Sequence, residues 1–177
     1  MIIYRYYVLC CISLMLLISY LHAGKPKLRV GSSAPDFTLL DENSKKHTLS
    51  DLRGHNIALI FYPSNRSFMG MSHCTQELCS IRDDFSDLQA EDIKILGVNP
   101  GSCASHKAFK AEHNFRFPLL SDPDRKVAKA YGAKRPFGLP IRRITVLING
   151  QGIIVAVLHD INVAEHAQEI IRMFKVQ

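Results

Sequence analysis

The stretch SHCTQELCS, residues 72–80, carries two thiols five positions apart, Cys74 and Cys79, where helical periodicity begins. The spacing is too wide for a CxxC redox pair, and no further Cys or Cys/His pair follows at the spacing of a structural zinc site. In an ideal helix, positions five apart sit about 140° apart around the axis, with Cα atoms about 8.7 Å apart; a disulfide needs about 6.8 Å or less. Cys74 and Cys79 can therefore bond only if the first turn unwinds. Cys74 falls on an apolar stripe with Leu78, Ile81, Phe85 and Leu88, while Cys79 falls off it. That pattern describes a switch: a sheltered sulfur reacts first, and local unwinding delivers the second. From the spacing alone, two ordinary unpaired cysteines, Cys74 in the core, remain the simpler reading.

A reactive thiol must be a thiolate. A free cysteine has a pKa of about 8.5, and lowering it to about 6 requires about 3.4 kcal/mol of differential stabilisation. The unpaired N–H groups and dipole at a helix mouth supply about 0.3–1 kcal/mol, or up to about 2 when partly buried. Cys74 therefore needs a second cation or strong donor.

The elements around this segment have to place it. FTLLDENSKKHTL reads as two short extended segments around a polar turn at Asp41–Lys46. NIALIFYP and IKILGVNP read as buried strands. The apolar stripe predicts one helix over residues 74–89 between them. SCASHKAFKAEHNF reads as a helix with Ser102 as N-cap, and FPLLSDPD as an extended segment that turns. RKVAKAYGAK is a short helix closed by Gly132, and RITVLINGQGIIVAVLH a hairpin around Asn149-Gly150. VAEHAQEIIRMF closes the chain as a helix with Val163, Ala167, Ile170 and Phe174 on one face. Two βα units, a hairpin and a helix make an α/β sandwich, a mixed central sheet with helices on both faces, and the thioredoxin-like arrangement satisfies that order. The site is then expected at the C-terminal ends of the strands, where Cys74 follows the strand ending at Tyr62.

The chain has 177 residues, enough for one domain with a real core; 47% hydrophobic and 21% charged residues fit a globular protein. The net charge of +6 is spread along the chain, which argues for solvated faces and against a nucleic-acid surface. Residues 1–23 differ: Arg5 is the one charge, and Val8–Leu21 is an uncharged run of h-region length. A cut before Gly24 would make this a signal peptide; left uncleaved, residues 2–21 would form a membrane anchor. Either way residues 24–177, the folded domain, are placed outside the cytoplasm, periplasmic or secreted.

FYP (61–63), CTQELCSIRDDF (74–85), KILGVNPGS (94–102), SHKAFKAEH (105–113), FPLLSDPDRKVAKAYGA (117–133) and RITVLINGQG (143–152) together resemble a peroxiredoxin of the bacterioferritin-comigratory, or Q-type, branch. APDFTLLDE (34–42) is similar to the opening of that domain, so the resemblance covers residues 28–177. It implies a thiol-dependent peroxidase acting on hydrogen peroxide and organic hydroperoxides, without cofactor or metal, reduced by a thioredoxin-like donor, and a monomer. By the same resemblance Cys74 is the peroxidatic cysteine, Cys79 the resolving cysteine that forms a disulfide with it, and Arg143 the arginine that binds peroxide and supports the thiolate. If the register slips, Arg142 takes that place. Pro63 is the proline that shields the sulfur.

One departure stands out. The family loop runs Pro, three residues, Thr or Ser, two residues, Cys. Here Ser67 follows Pro63 at the expected offset, but six residues separate it from Cys74, about four too many. Counting back from Cys74 puts Met71 at the hydroxyl position, and Met cannot donate; Ser67 serves if the insertion bulges outward, and Ser72 could substitute. Phe68, Met69 and Met71 form an apolar cluster in this loop, either local packing or a modified peroxide entrance. Cys103 reads as a helix-opening cysteine or an alternative resolving thiol. His73 beside Cys74 could aid thiolate formation, and the histidines show no metal-ligand spacing. Two rival functions fit: an extracytoplasmic thiol–disulfide oxidoreductase, which would normally need the missing CxxC, and a peroxidase-like interaction protein whose longer loop disabled the site.

Overall fold

The computed structural model describes residues 28–64, 73–159 and 161–176, and for His73, Cys74 and Thr75 the backbone alone. The leader or anchor at residues 1–23 and the loop residues Ser67, Phe68, Met69, Met71 and Ser72 lie outside the described residues.

Seven strands form one sheet: β1 (Thr38–Leu40), β2 (Lys46–Thr48), β3 (Asn56–Phe61), β4 (Ile93–Asn99), β5 (Leu119–Ser121), β6 (Ile144–Ile148) and β7 (Ile154–Leu158). Their order is β2-β1-β5-β4-β3-β6-β7. The centre β5-β4-β3 is parallel, and β6 runs antiparallel to β3. The helices are α1 (His73–Asp83), α2 (Phe85–Ala90), α3 (Cys103–His113), α4 (Lys126–Ala130) and α5 (His166–Lys175). The sandwich is the expected mixed α/β one.

β3 shows why the sheet is buried on both sides. Its residues alternate between two clusters: Ile57, Leu59 and Phe61 pack with Val127 and Ala128 of α4, whereas Ala58 and Ile60 pack with Leu78 and Ile81 of α1 and Ala167 and Ile170 of α5. Each such aliphatic side chain taken from water contributes about 1.5–3 kcal/mol. Among the described residues no helix is long and apolar enough to cross a membrane.

Two expectations change in detail. The stripe predicted one helix across residues 74–89; the structure has two, α1 and α2, parted at Asp84, whose ψ is 15°. The buried stripe continues through Ile81, Phe85 and Leu88 regardless. The break falls where Asp83 and Asp84, poor helix formers, meet the negative end of the α1 dipole. The Asn149-Gly150 hairpin exists, but its connection is longer than a two-residue turn. The Asn149 carboxamide accepts from the N–H groups of Gln151 and Ile153, and the left-handed residue is Gly152, at φ 73°. Gly150 instead permits close approach, since a Cβ there would lie 3.1 Å from the backbone of Gly54.

Ser102 caps α3 as expected, accepting from Ser105 N–H at 3.2 Å, and Gly132 follows α4 at φ 69°. The parallel pairing of β3 and β4 brings their C-terminal ends to one edge of the sheet. The antiparallel register Phe61↔Ile144 brings the start of β6 to the same edge.

Candidate active site

Of the sequence-predicted residues, that edge brings together Cys74, Pro63 and Arg143. Cys74 is the second residue of α1, in the first turn, where N–H groups lack helical partners. Pro63 leaves the end of β3, two residues beyond Phe61, and is half-buried. With Ser64 it lines one side of a cleft of about 390 Å³ whose other walls include Gly101, Ser102, Gly138 and Pro140. Arg143 directly precedes β6, its side chain 21% exposed. Ser67 falls outside the described residues.

Arg143 is not loose at this edge. Its Nε lies 3.2 Å from Oε2 of Glu77, whose side chain is fully buried. Glu77 stands three residues beyond Cys74 on α1, so the guanidinium is tied one turn along the helix that carries the sulfur. Arg142 makes a backbone hydrogen bond instead, its N–H donating to the Ala133 carbonyl at 2.7 Å. Burial pushes Glu77 up from 4.5 to about 7, with Arg143 pulling the other way.

Cys79 is half-buried, unbonded, and packs against the cluster under α1. Burial raises its pKa, with Arg82 opposing, so at neutral pH it is a thiol and not a competing thiolate. Arg82 itself is held by Asp83, at 2.8 Å from Nε, and by the His113 carbonyl, at 2.8 Å from Nη1. Cys103 opens α3 as a half-buried free thiol. Lys110, farther along α3, pairs with Glu42. Behind the site, Nε2 of buried His166 lies 3.0 Å from Thr145 Oγ1 and 3.6 Å from Glu77 Oε1.

The sequence reading missed Glu77 and His166. A signal for Glu77 was present: it stands three residues after Cys74 and four before Ile81, a carboxylate on the apolar face of an amphipathic helix. His166, four residues before Ile170, interrupts the apolar face of the last helix in the same way.

Among the described residues no group of three or more His, Cys, Asp or Glu side chains is arranged to hold a metal. A thioredoxin-like α/β sandwich with a cysteine at the mouth of a helix, an arginine tied to that helix and a second thiol within it defines the class of thiol-based redox proteins. Residues 30–157 match the AhpC/TSA family, and the chain belongs to it. It is 36% identical over 150 residues to the peroxiredoxin Bcp of Coxiella burnetii, covering 81% of this chain and 97% of that one. It is 33% identical over 154 residues to the peroxiredoxin Bcp of Bacillus subtilis, covering 84% and 96%. The bacterioferritin comigratory protein of Xanthomonas campestris, whose solved structures concern its alkyl peroxide reduction activity, superposes with a TM-score of 0.72 at 28% identity, over 84% of this chain and 96% of that one. The resemblance to Q-type peroxiredoxins is thereby established, and the chain is a thiol peroxidase of that group.

Proposed function

We propose that Cys74 is the peroxidatic thiol and Cys79 its resolving partner, in a cycle that reduces hydrogen peroxide and small organic hydroperoxides. The Cys74 thiolate attacks the distal peroxide oxygen. The O–O bond breaks, the leaving oxygen takes a proton as water or alcohol, and Cys74 becomes sulfenic acid. The first turn of α1 then unwinds, the Cys79 sulfur attacks the sulfenic sulfur, and water leaves as the disulfide forms. A thioredoxin-like dithiol reduces that disulfide by exchange and is itself oxidised. Sulfur carries both electrons throughout, so the cycle needs no metal, haem or flavin.

The observation that carries this reading is the convergence of the first turn of α1, the end of β3 and the start of β6 at one edge, with Arg143 tied to α1 through Glu77. The tie supports Arg143 as the cation that the helix end alone lacks, and as the donor to the peroxide oxygens. Pro63 screens the sulfur from bulk water. Ser67 is the residue assigned the hydroxyl that the family loop places near peroxide.

The apolar run at residues 8–21 supports export of the chain, with that run either removed or kept as an anchor, and hence work in the periplasm or outside the cell. The group's pattern supports a monomer as the working form.

The test is peroxide consumption coupled to a thioredoxin system. Cys74→Ser is expected to show no turnover, and Cys79→Ser to react once and then stall unless an external thiol rescues it. Full recycling without Cys79 would move resolution to Cys103 or to an external thiol. Insulin reduction without peroxide turnover would replace this reading with that of a thiol–disulfide oxidoreductase.

A further inference from the structure

Two buried ionisable side chains have no part in the cycle as written. Glu77 on α1 and His166, the first residue of α5, are both fully buried. They meet: His166 Nε2 lies 3.6 Å from Glu77 Oε1, and the opposite carboxylate oxygen, Oε2, lies 3.2 Å from Arg143 Nε. The same Nε2 lies 3.0 Å from Thr145 Oγ1 on β6. Among the described residues, Arg143 and His166 are the basic groups within 4 Å of the Glu77 oxygens. Apolar side chains surround the row, with Leu78 and Ile81 from α1 and Ala167 and Ile170 from α5.

The row has a direction. Arg143 is its partly exposed end, at the edge where Cys74 sits; His166 is its sealed end. With its proton on Nε2, His166 donates to Thr145 Oγ1; Glu77 Oε1, at 3.6 Å, lies beyond hydrogen-bond distance and meets only the positive end of that N–H dipole. This tautomer leaves at Nδ1, which has no hydrogen-bond partner among the described residues, only a bare lone pair. A buried carboxylate is tolerated when it is paired on its charged side and solvated by fixed dipoles on the other. Arg143 does the first and His166 the second.

We propose that His166 is a positioning residue of the peroxidase site: its Nε2, fixed against Thr145, turns an N–H dipole toward the buried Glu77 carboxylate and so keeps that carboxylate charged and paired with Arg143. The inference rests on the roles given above to Cys74 and Arg143. With an apolar residue at 166, Glu77 keeps one polar partner, takes up a proton more readily, and ceases to hold Arg143 as an ion pair.

The test compares His166→Leu with His166→Gln, whose amide nitrogen can occupy the Nε2 position. Two quantities are read on reduced protein: the rate of Cys74 with hydrogen peroxide, and the pH dependence of Cys74 alkylation, followed on its own peptide. His166→Leu is expected to slow the peroxide reaction by roughly three- to tenfold. It should also displace the alkylation profile, and His166→Gln should restore both. A folded Leu variant with wild-type rate and profile overturns the proposal. So do equal losses in both folded variants, because they would mark the ring as filler alone. If His166→Leu does not fold, Thr145→Val decides: it removes the hydroxyl at nearly constant volume, and an unchanged profile overturns the proposal. A wild-type Cys74 inert to peroxide would sink the functional reading, yet the alkylation profiles would still decide the role of His166.

Discussion

Arg143 Nε stands 3.2 Å from Glu77 Oε2, joining the start of β6 to the helix that carries Cys74 and Cys79. The ion pair ties the cation to a segment that must itself unwind for the two sulfurs to meet, because Glu77 lies between them in sequence. In the proposed cycle the folded site and the disulfide state would therefore be alternatives, because unwinding residues 74–79 would carry Glu77 away from both Arg143 and His166.

Arg143→Ala should slow the reaction of Cys74 with peroxide about 10²–10³-fold, the scale of losing one preorganised donor to a developing charge. Arg143→Lys should recover little of it, because an ammonium cannot hold Glu77 and peroxide with one planar fork. Rapid-mixing rates at several peroxide concentrations measure this. An alanine variant within threefold of wild type would remove Arg143 from the site.

The buried pair gives stability a distinctive pH dependence. Burial raises Glu77 from 4.5 to about 7 and lowers His166 from 6.5 to about 4. Between about pH 4.5 and 6.5 the folded pair holds one proton, on Glu77, and the unfolded pair also holds one, on His166, so this pair contributes no slope there. From about pH 6.5 to 7 the folded state holds the extra proton, and stability falls as pH rises. From about pH 4.5 down to 4 the unfolded state holds the extra proton, and stability falls as pH drops. His166→Leu removes one arm, leaving Glu77 to lower stability as pH rises across that middle window. Urea midpoints of both proteins across this range measure the difference; parallel curves would contradict it.

Cys79 should be slow to alkylate in folded Cys74→Ser protein at neutral pH. Burial raises its thiol above the usual cysteine range, and it packs under α1. Urea below the global unfolding midpoint should speed its labelling, because local unwinding exposes it. Rapid labelling in the intact fold would show that α1 need not open.

Leu78 is fully buried and lies between Cys74 and Cys79, in the segment that the proposed cycle unwinds. Leu78→Ala should destabilise the reduced protein by about 2–5 kcal/mol and the disulfide form by clearly less. It should therefore favour disulfide formation over further oxidation of Cys74 to sulfinic acid at high peroxide. Urea melts of both redox forms, with mass analysis of the Cys74 peptide, provide the check. Equal destabilisation of both forms would mean that Leu78 stays packed in the oxidised state.

The strands and most helices were legible because each carries its own period: β3 and β4 read as unbroken apolar runs, and the α1–α2 stripe survives the bend at Asp84. The bend was hidden because the stripe spans it, and the hairpin's length because Asn149 closes a wider loop with its side chain. At the site, Cys74 and Cys79 stood out by type and spacing, while Pro63 and Arg143 were marked only through the resemblance to peroxiredoxins. Glu77 and His166 could not be paired in advance, since only the packing of α5 onto α1 brings residues so distant in sequence to 3.6 Å. Each was an isolated polar residue on an apolar face, and two such faces that pack together must bury their polar residues as partners.

The central claim is that a sulfur held at a helix mouth reacts first and reaches its partner only when that turn opens. Reduced protein mixed with one equivalent of hydrogen peroxide, quenched over time and analysed by peptide mass, tests it directly. The account predicts one added oxygen on Cys74 in Cys79→Ser. In the wild type it predicts a Cys74–Cys79 disulfide that appears together with loss of helical circular dichroism. Oxygen arriving first on Cys79 or Cys103, or a Cys74–Cys79 disulfide formed with no loss of helix, would contradict it.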